Sequence, residues 1–219
     1  MFKDRKDAGN QLGKALEDYR NKGVVVLAIP RGGVQVGCEV AQYLNAEFVI
    51  IITRKLPFPD EPEAGFGAIA EDGSTYISPH LSQWVSKTVI KRIQEEQRDE
   101  IRRRIAVLRK GQPLPEIRGR TVILVDDGIA AGSTMRASIA LCKNQGAASI
   151  VVAVPVTGKR TAQEIGTLVD DIVVLEMPPS FHAVAQVYEN WYDVQDREVL
   201  EIMKEWERAR QKEKGKWQL

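Results

Sequence analysis

Apolar residues along the chain fall into blocks of two kinds. Residues 24–29 and 47–53 are short and almost unbroken, rich in Val and Ile, which is the pattern of strands buried on both faces. Residues 121–125, 150–156 and 172–175 repeat it. Between these blocks the apolar spacing turns helical. Leu12, Ala15, Leu16 and Tyr19 share one side of a helix predicted over 4–21, and Gly23 supplies the left-handed position that ends it. Further helices are predicted over 34–44, 81–110, 132–145, 161–168 and 196–212. In the longest, Leu81, Val85, Val89, Ile93, Ile101 and Ile105 keep an i, i+4 row with one gap at Gln97. Strands alternating with helices at this spacing predict an α/β fold with a mainly parallel sheet of about five strands.

Two stretches break the rhythm. Residues 57–79 hold Pro57, Pro59, Pro62, Pro79 and three glycines, and Glu71-Asp72-Gly73-Ser74 reads as a hairpin turn between Ala68-Ile69-Ala70 and Thr75-Tyr76-Ile77. An excursion of that length inside a domain is a lid or a disordered loop. Residues 177–192 are irregular and aromatic. The expected organisation is one domain over 1–219, with a core at 20–176, the excursion at 57–79, the aromatic segment at 177–192 and a terminal helix at 195–214.

Composition narrows the function classes. Basic and acidic side chains number 31 and 30, for a net charge of +1, which excludes the strong basic field of a nucleic-acid binder. No apolar run approaches a membrane span and the first residues lack a secretory h-region. Cys38 and Cys142 fall inside predicted helices and read as packed, reduced thiols, so a cytoplasmic protein is expected. The run Arg102-Arg103-Arg104 reads as a solvated face, paired internally through Asp99–Arg103 and Glu100–Arg104. No Gly-x-Ser-x-Gly elbow, Walker loop or dinucleotide glycine fingerprint is present. His80 and His182 read as ordinary loop residues.

The chemistry concentrates at one strand end. In Val122-Ile123-Leu124-Val125-Asp126-Asp127-Gly128-Ile129-Ala130-Ala131-Gly132-Ser133-Thr134, an apolar strand runs into two carboxylates, and a small-residue loop then enters a helix. Neighbouring strand residues point to opposite faces, so the two aspartates reach different parts of a ligand lying across the strand end. The loop offers backbone amides, two hydroxyls and a helix N-terminus to an anion. Acceptors for hydroxyls beside donors for a phosphate describe a receptor for a phosphorylated sugar.

This segment resembles the phosphoribosyl-diphosphate (PRPP) signature of the type I phosphoribosyltransferases, and the order of the other elements agrees over residues 20–192. The resemblance implies that Asp126 and Asp127 hold the ribose hydroxyls and that Ala130, Ala131, Gly132, Ser133 and Thr134 hold the 5-phosphate. It places Arg31, Gly32 and Gly33 after the first strand, and Arg54 and Lys55 after the second, on the diphosphate. Asp126, Asp127, Arg31 and Lys55 would be the residues that serve catalysis. It further implies a mobile lid over 57–79 and a hood at 177–192, where Phe181 or Trp191 stacks on a base and Lys159 reads it. Mg²⁺ would ride mainly on PRPP, near Asp126 and Asp127 and without a dedicated protein site. A homodimer with a base-like acceptor as second substrate is expected, with no nucleic-acid or membrane partner. The expected reaction is transfer of a phosphoribosyl group to a nitrogen nucleophile, and a regulatory protein that binds PRPP without transfer is the alternative. One departure bears on the acceptor. Members that act on 6-oxopurines carry an aspartate where this chain has Ala130, and Ala130 cannot move a proton.

Overall fold

The computed structural model describes residues 1–216. Helix α1 (Arg5–Ala15) opens on Asp4, whose side chain accepts from the Asp7 amide. It is shorter than predicted. Glu17 and Asp18 would place negative charge at the negative end of a longer helix, and Glu17–Tyr19 forms a 3-10 turn instead. Leu12 and Leu16 are buried, whereas Ala15 faces solvent. Strand β1 (Val25–Ala28) follows, then α2 (Gly32–Leu44), which begins two residues ahead of expectation and takes Gly32 and Gly33 into its first turn.

The apolar run 47–53 divides between two sheets. Strand β2 (Glu47–Ile50) belongs to one and β3 (Thr53–Pro57) to the other. The cause is a polar knot at the break. Glu71 and Arg109 form a buried ion pair. The Ile52 amide donates to Glu71 Oε1 at 2.9 Å and Arg109 Nη1 donates to the Ile50 carbonyl at 3.1 Å. These bonds use groups that would otherwise extend the ladder. The hairpin read from sequence is present as β4 (Gly65–Ala70) and β5 (Thr75–Ile77), antiparallel and continuous with β3. Its root is core, because Phe66, Ala68, Ile69 and Ala70 are buried.

Helix α3 (Lys87–Leu108) starts later than predicted, because the Ser86 hydroxyl accepts from the Val89 amide and caps it. Next come β6 (Thr121–Val125), α4 (Ser133–Asn144), β7 (Ser149–Val156), α5 (Lys159–Gly166), β8 (Asp171–Glu176) and α6 (Asp196–Lys216). Five strands form a parallel sheet in the order β2-β1-β6-β7-β8. On β6, Ile123 and Val125 pack toward α1, α2 and α6, while Val122 and Leu124 pack toward α4 and α5. The sheet is therefore covered on both faces, and its open edge is the row of carboxyl ends. Residues 178–192 cap that row. They are stitched to the N-terminus by hydrogen bonds from Phe2 N to the Val187 carbonyl (2.7 Å) and from Glu189 N to the Phe2 carbonyl (2.9 Å). No helix among the described residues is long and apolar enough to cross a membrane.

Candidate active site

The parallel register sets the end of β6 beside the end of β1, with Val125 opposite Ala28. Asp126 and Asp127 leave β6 there, and the first turn of α2 rises against them. A Cβ added at Gly32 would overlap the Asp127 carboxylate, and one added at Gly33 would lie 2.8 Å from Asp126 Cα. The two glycines thus bring helix backbone into contact with the acidic pair, a closeness no other residue allows. The Pro30–Arg31 peptide that leads into this turn is cis.

The two carboxylates have different surroundings. Asp127 Oδ2 accepts from Arg5 Nε at 2.7 Å, and the Asp127 carbonyl accepts from the Tyr188 hydroxyl at 2.7 Å. Asp126 Oδ1 accepts only from the neighbouring Asp127 amide, at 2.8 Å, among the described residues. Burial, and then the charge of Asp127, push the Asp126 carboxyl well above the usual carboxylate range. Burial raises Asp127 as well, and the Arg5 guanidinium opposes that rise. Burial also lifts the Tyr188 phenol above its ordinary range, so it stays a hydrogen-bond donor.

Beyond the pair, the loop is fixed by its carbonyls. Thr157 Oγ1 donates to the Ile129 carbonyl at 2.8 Å, and Thr161 Oγ1 donates to that of Ala130 at 3.3 Å. Gly132 then takes a positive φ of 80° as the residue before α4. The first-turn amides of α4 have no intrahelical acceptor, and Ala130 and Ala131 are exposed at the rim. A fixed cation lies behind this cradle. Arg136 Nη2 is held by Glu164 at 2.6 Å, and its guanidinium lies 5.2 Å from the Tyr76 ring. Its Nη1 is buried without a hydrogen-bond partner among the described residues, 2.8 Å from where a Gly132 Cβ would stand.

The remaining predicted residues divide. Arg31 Nη1 sits 3.7 Å from Asp196 and Arg54 Nε donates to Gln97 at 3.1 Å, both on the α2 side of the pair. Lys55 is turned onto the excursion, where its Nζ donates to the Glu63 carbonyl. Phe181 lies over Gly158, and Lys159 is exposed at the start of α5. Trp191 presents its face to Arg5, whose guanidinium carbon is 3.9 Å from the ring centroid. That face is therefore filled from within.

Arg5, Tyr188, Arg136 and Asp196 are site residues that the sequence reading passed over. Arg5 is 3% exposed, and an arginine in the first turn of an amphipathic helix gives no sequence signal of burial. The two cysteine thiols, by contrast, are pushed up to about 12 by burial, in keeping with packed thiols.

A family model described as "Phosphoribosyl transferase domain" matches residues 5–190. The chain belongs to this family. Two proteins of Mycobacterium tuberculosis, from strains CDC 1551 and H37Rv, bear the name "Putative phosphoribosyl transferase" and are 36% identical to it over 205 residues. The match covers 93% of this chain and 46% of theirs, so the chain spans about half the length of these relatives. A crystal structure of the protein TT1426 from Thermus thermophilus superposes with a TM-score of 0.79 at 35% identity, covering 94% of this chain and 98% of that one. The mainly parallel five-stranded sheet flanked by helices is the fold class that the sequence motif implies.

Proposed function

We propose that this chain binds PRPP and transfers its 5-phosphoribosyl group to a nitrogen nucleophile, a nucleobase by preference, with release of diphosphate. The observation that carries the reading is the arrangement at the end of β6. Two carboxylates of unlike environment stand between an amide-lined loop and a helix turn opened by glycine. In this reading Asp126 and Asp127 accept hydrogen bonds from the ribose hydroxyls, and Ala130 to Thr134 hold the 5-phosphate. Gly32 and Gly33 give backbone donors to the diphosphate, while Arg31, Arg54 and Lys55 balance its charge as the anomeric bond breaks. The oxygen-only donor set at Asp126 and Asp127 suits a hard cation, and Mg²⁺ bound there with PRPP would supply charge neutralisation to the leaving group. The exposed part of the 57–79 excursion would close over the site and exclude water. The base would lie toward Phe181, Val184 and Lys159 rather than on the occupied face of Trp191. Residence in the cytoplasm, a homodimer and a role in nucleotide salvage belong to the same proposal.

The test is a screen of nucleobases with PRPP and Mg²⁺, detecting released diphosphate. One base should turn over, and Asp127→Asn should lower that turnover by about 2.7–4 kcal/mol of transition-state stabilisation. Ala130 removes the acid–base group of the 6-oxopurine members, which permits a regulatory reading as the rival. Tight PRPP binding with no turnover on any base would decide for that rival.

A further inference from the structure

Four arginines gather around the turn that opens α2. Arg31 leads into α2 and Arg54 lies on β3. Arg103 and Arg104 come from the α3 run that its sequence pattern assigns to a solvated face. That assignment holds for Arg102, which pairs with Asp99 at 2.7 Å and is exposed. It does not hold for Arg104, which is buried and donates to Glu100 at 2.9 Å. Arg103 leaves Asp99 and gives two bonds to Glu100, at 2.7 and 2.8 Å.

Arg103, half exposed, also reaches toward α6. Its Nη2 lies 3.8 Å from Asp196 Oδ2, and Asp196 Oδ1 lies 3.7 Å from Arg31 Nη1. The Asp196 carboxylate therefore sits between an arginine of α3 and the arginine that opens the diphosphate turn. Both separations exceed those of a charge-assisted hydrogen bond, about 2.7–2.9 Å. Asp196 Oδ1 is shielded from solvent and accepts no hydrogen bond among the described residues. It is an anion loosely held at the centre of a cationic cluster. Four guanidiniums here share two carboxylates, Glu100 and Asp196. The Arg54 guanidinium registers this excess. Burial first, then the charges of Arg104, Arg31 and Arg103, hold it below its ordinary range.

We propose that Arg103 is a further diphosphate-binding residue, and that Asp196 is the internal anion that diphosphate displaces from between Arg103 and Arg31. The inference rests on the reading of the site as a PRPP site. A diphosphate offers these arginines several oxygens at hydrogen-bonding distance, where Asp196 offers two at longer range. The return of Asp196 would assist departure of the diphosphate after transfer, so the carboxylate weakens product binding by its position.

Calorimetric titration with Mg-diphosphate and, separately, with ribose 5-phosphate tests this on the intact chain. Arg103→Gln should weaken diphosphate binding about tenfold or more and leave ribose 5-phosphate binding within about twofold. Arg103→Lys, which keeps charge but loses the fork, should fall between. Asp196→Asn should tighten diphosphate binding about threefold or more. Thermal melts of each variant report folding, and Arg103 is 51% exposed, so the Lys variant keeps the test open if Gln misfolds. Unchanged diphosphate affinity in the folded Arg103 variants, or no tightening in Asp196→Asn, overturns the inference and leaves the PRPP reading standing. A wild-type chain that binds neither ribose 5-phosphate nor PRPP overturns both.

Discussion

The two walls of the site are built in opposite ways. The wall proposed to hold the sugar and phosphate is local and tight. Asp126 to Thr134 are consecutive, and among the segments packed against them Gly32-Gly33 approaches the acidic pair so closely that a methyl group would not fit. The wall toward the base is assembled from distant pieces. Arg5, Tyr188 and Trp191 meet through ring contacts and a backbone bridge of Phe2 with Tyr188, and Val184 packs against the same cluster. In the proposed reading, the group that every substrate of this kind shares meets rigid backbone, whereas the variable part of the substrate meets side chains. Small changes should therefore be costly at the first wall and tolerated at the second.

Three measurements press on that contrast. The largest effect is expected from Gly32→Ala. Its Cβ would overlap the Asp127 carboxylate, so either α2 or the aspartate must move. Strain of about 1–3 kcal/mol in unfolding free energy is expected, together with loss of calorimetric PRPP binding. The matched change at the other wall is Gly158→Ala, whose Cβ would make an ordinary 3.4 Å contact with Phe181. It should alter stability by less than about 0.5 kcal/mol. Equal effects at the two glycines would erase the distinction.

Next in size is the response of Asp126 to pH. Folding lifts its carboxyl above the ordinary range, so the folded chain keeps a proton that the unfolded chain has already lost. The stability contributed by this group is therefore greatest in acid. It declines as pH rises from the ordinary carboxylate range through the raised value. Asp126→Asn removes the decline and still offers an acceptor to the Asp127 amide. The unliganded variant should melt higher than wild type at neutral pH, by about 2–4 °C for each kcal/mol regained, and the gap should narrow as the buffer is acidified. Its PRPP affinity should fall. A variant that melts lower at neutral pH would contradict the raised carboxyl.

The smallest effect concerns the base wall. A double-mutant cycle of Arg5→Gln and Trp191→Leu, followed by urea unfolding, should return a coupling of about 0.5–2 kcal/mol for the guanidinium on the indole face. Zero coupling would leave that face free for a base.

The same division decides what could be read from sequence. Strand β6 was legible to the residue and the end of its loop to within one, because an apolar run ending in two acids and a small-residue turn is written in consecutive positions. The start of α2 was not. Gly32 and Gly33 look like loop until the packing against Asp126 and Asp127 shows why they are helical. The 47–53 run hid its break, since the Glu71–Arg109 pair that ends the parallel ladder comes from far along the chain. Charge was the least legible property. Arg5, Arg104 and Arg136 are ordinary arginines of amphipathic helices in sequence, and their burial depends on partners that only the fold supplies.

The stitch between Phe2 and Tyr188 has a consequence for biosynthesis. Arg5 is made early in the synthesis of this domain, but the Tyr192 carbonyl that its Nη1 grips is 187 residues further on. A ribosome delivers the two ends of this hydrogen bond far apart in time. The sheet can assemble while the chain is still emerging, yet this wall must wait for residues 187–192, and until then Arg5 lacks the carbonyl that helps hold it against Asp127.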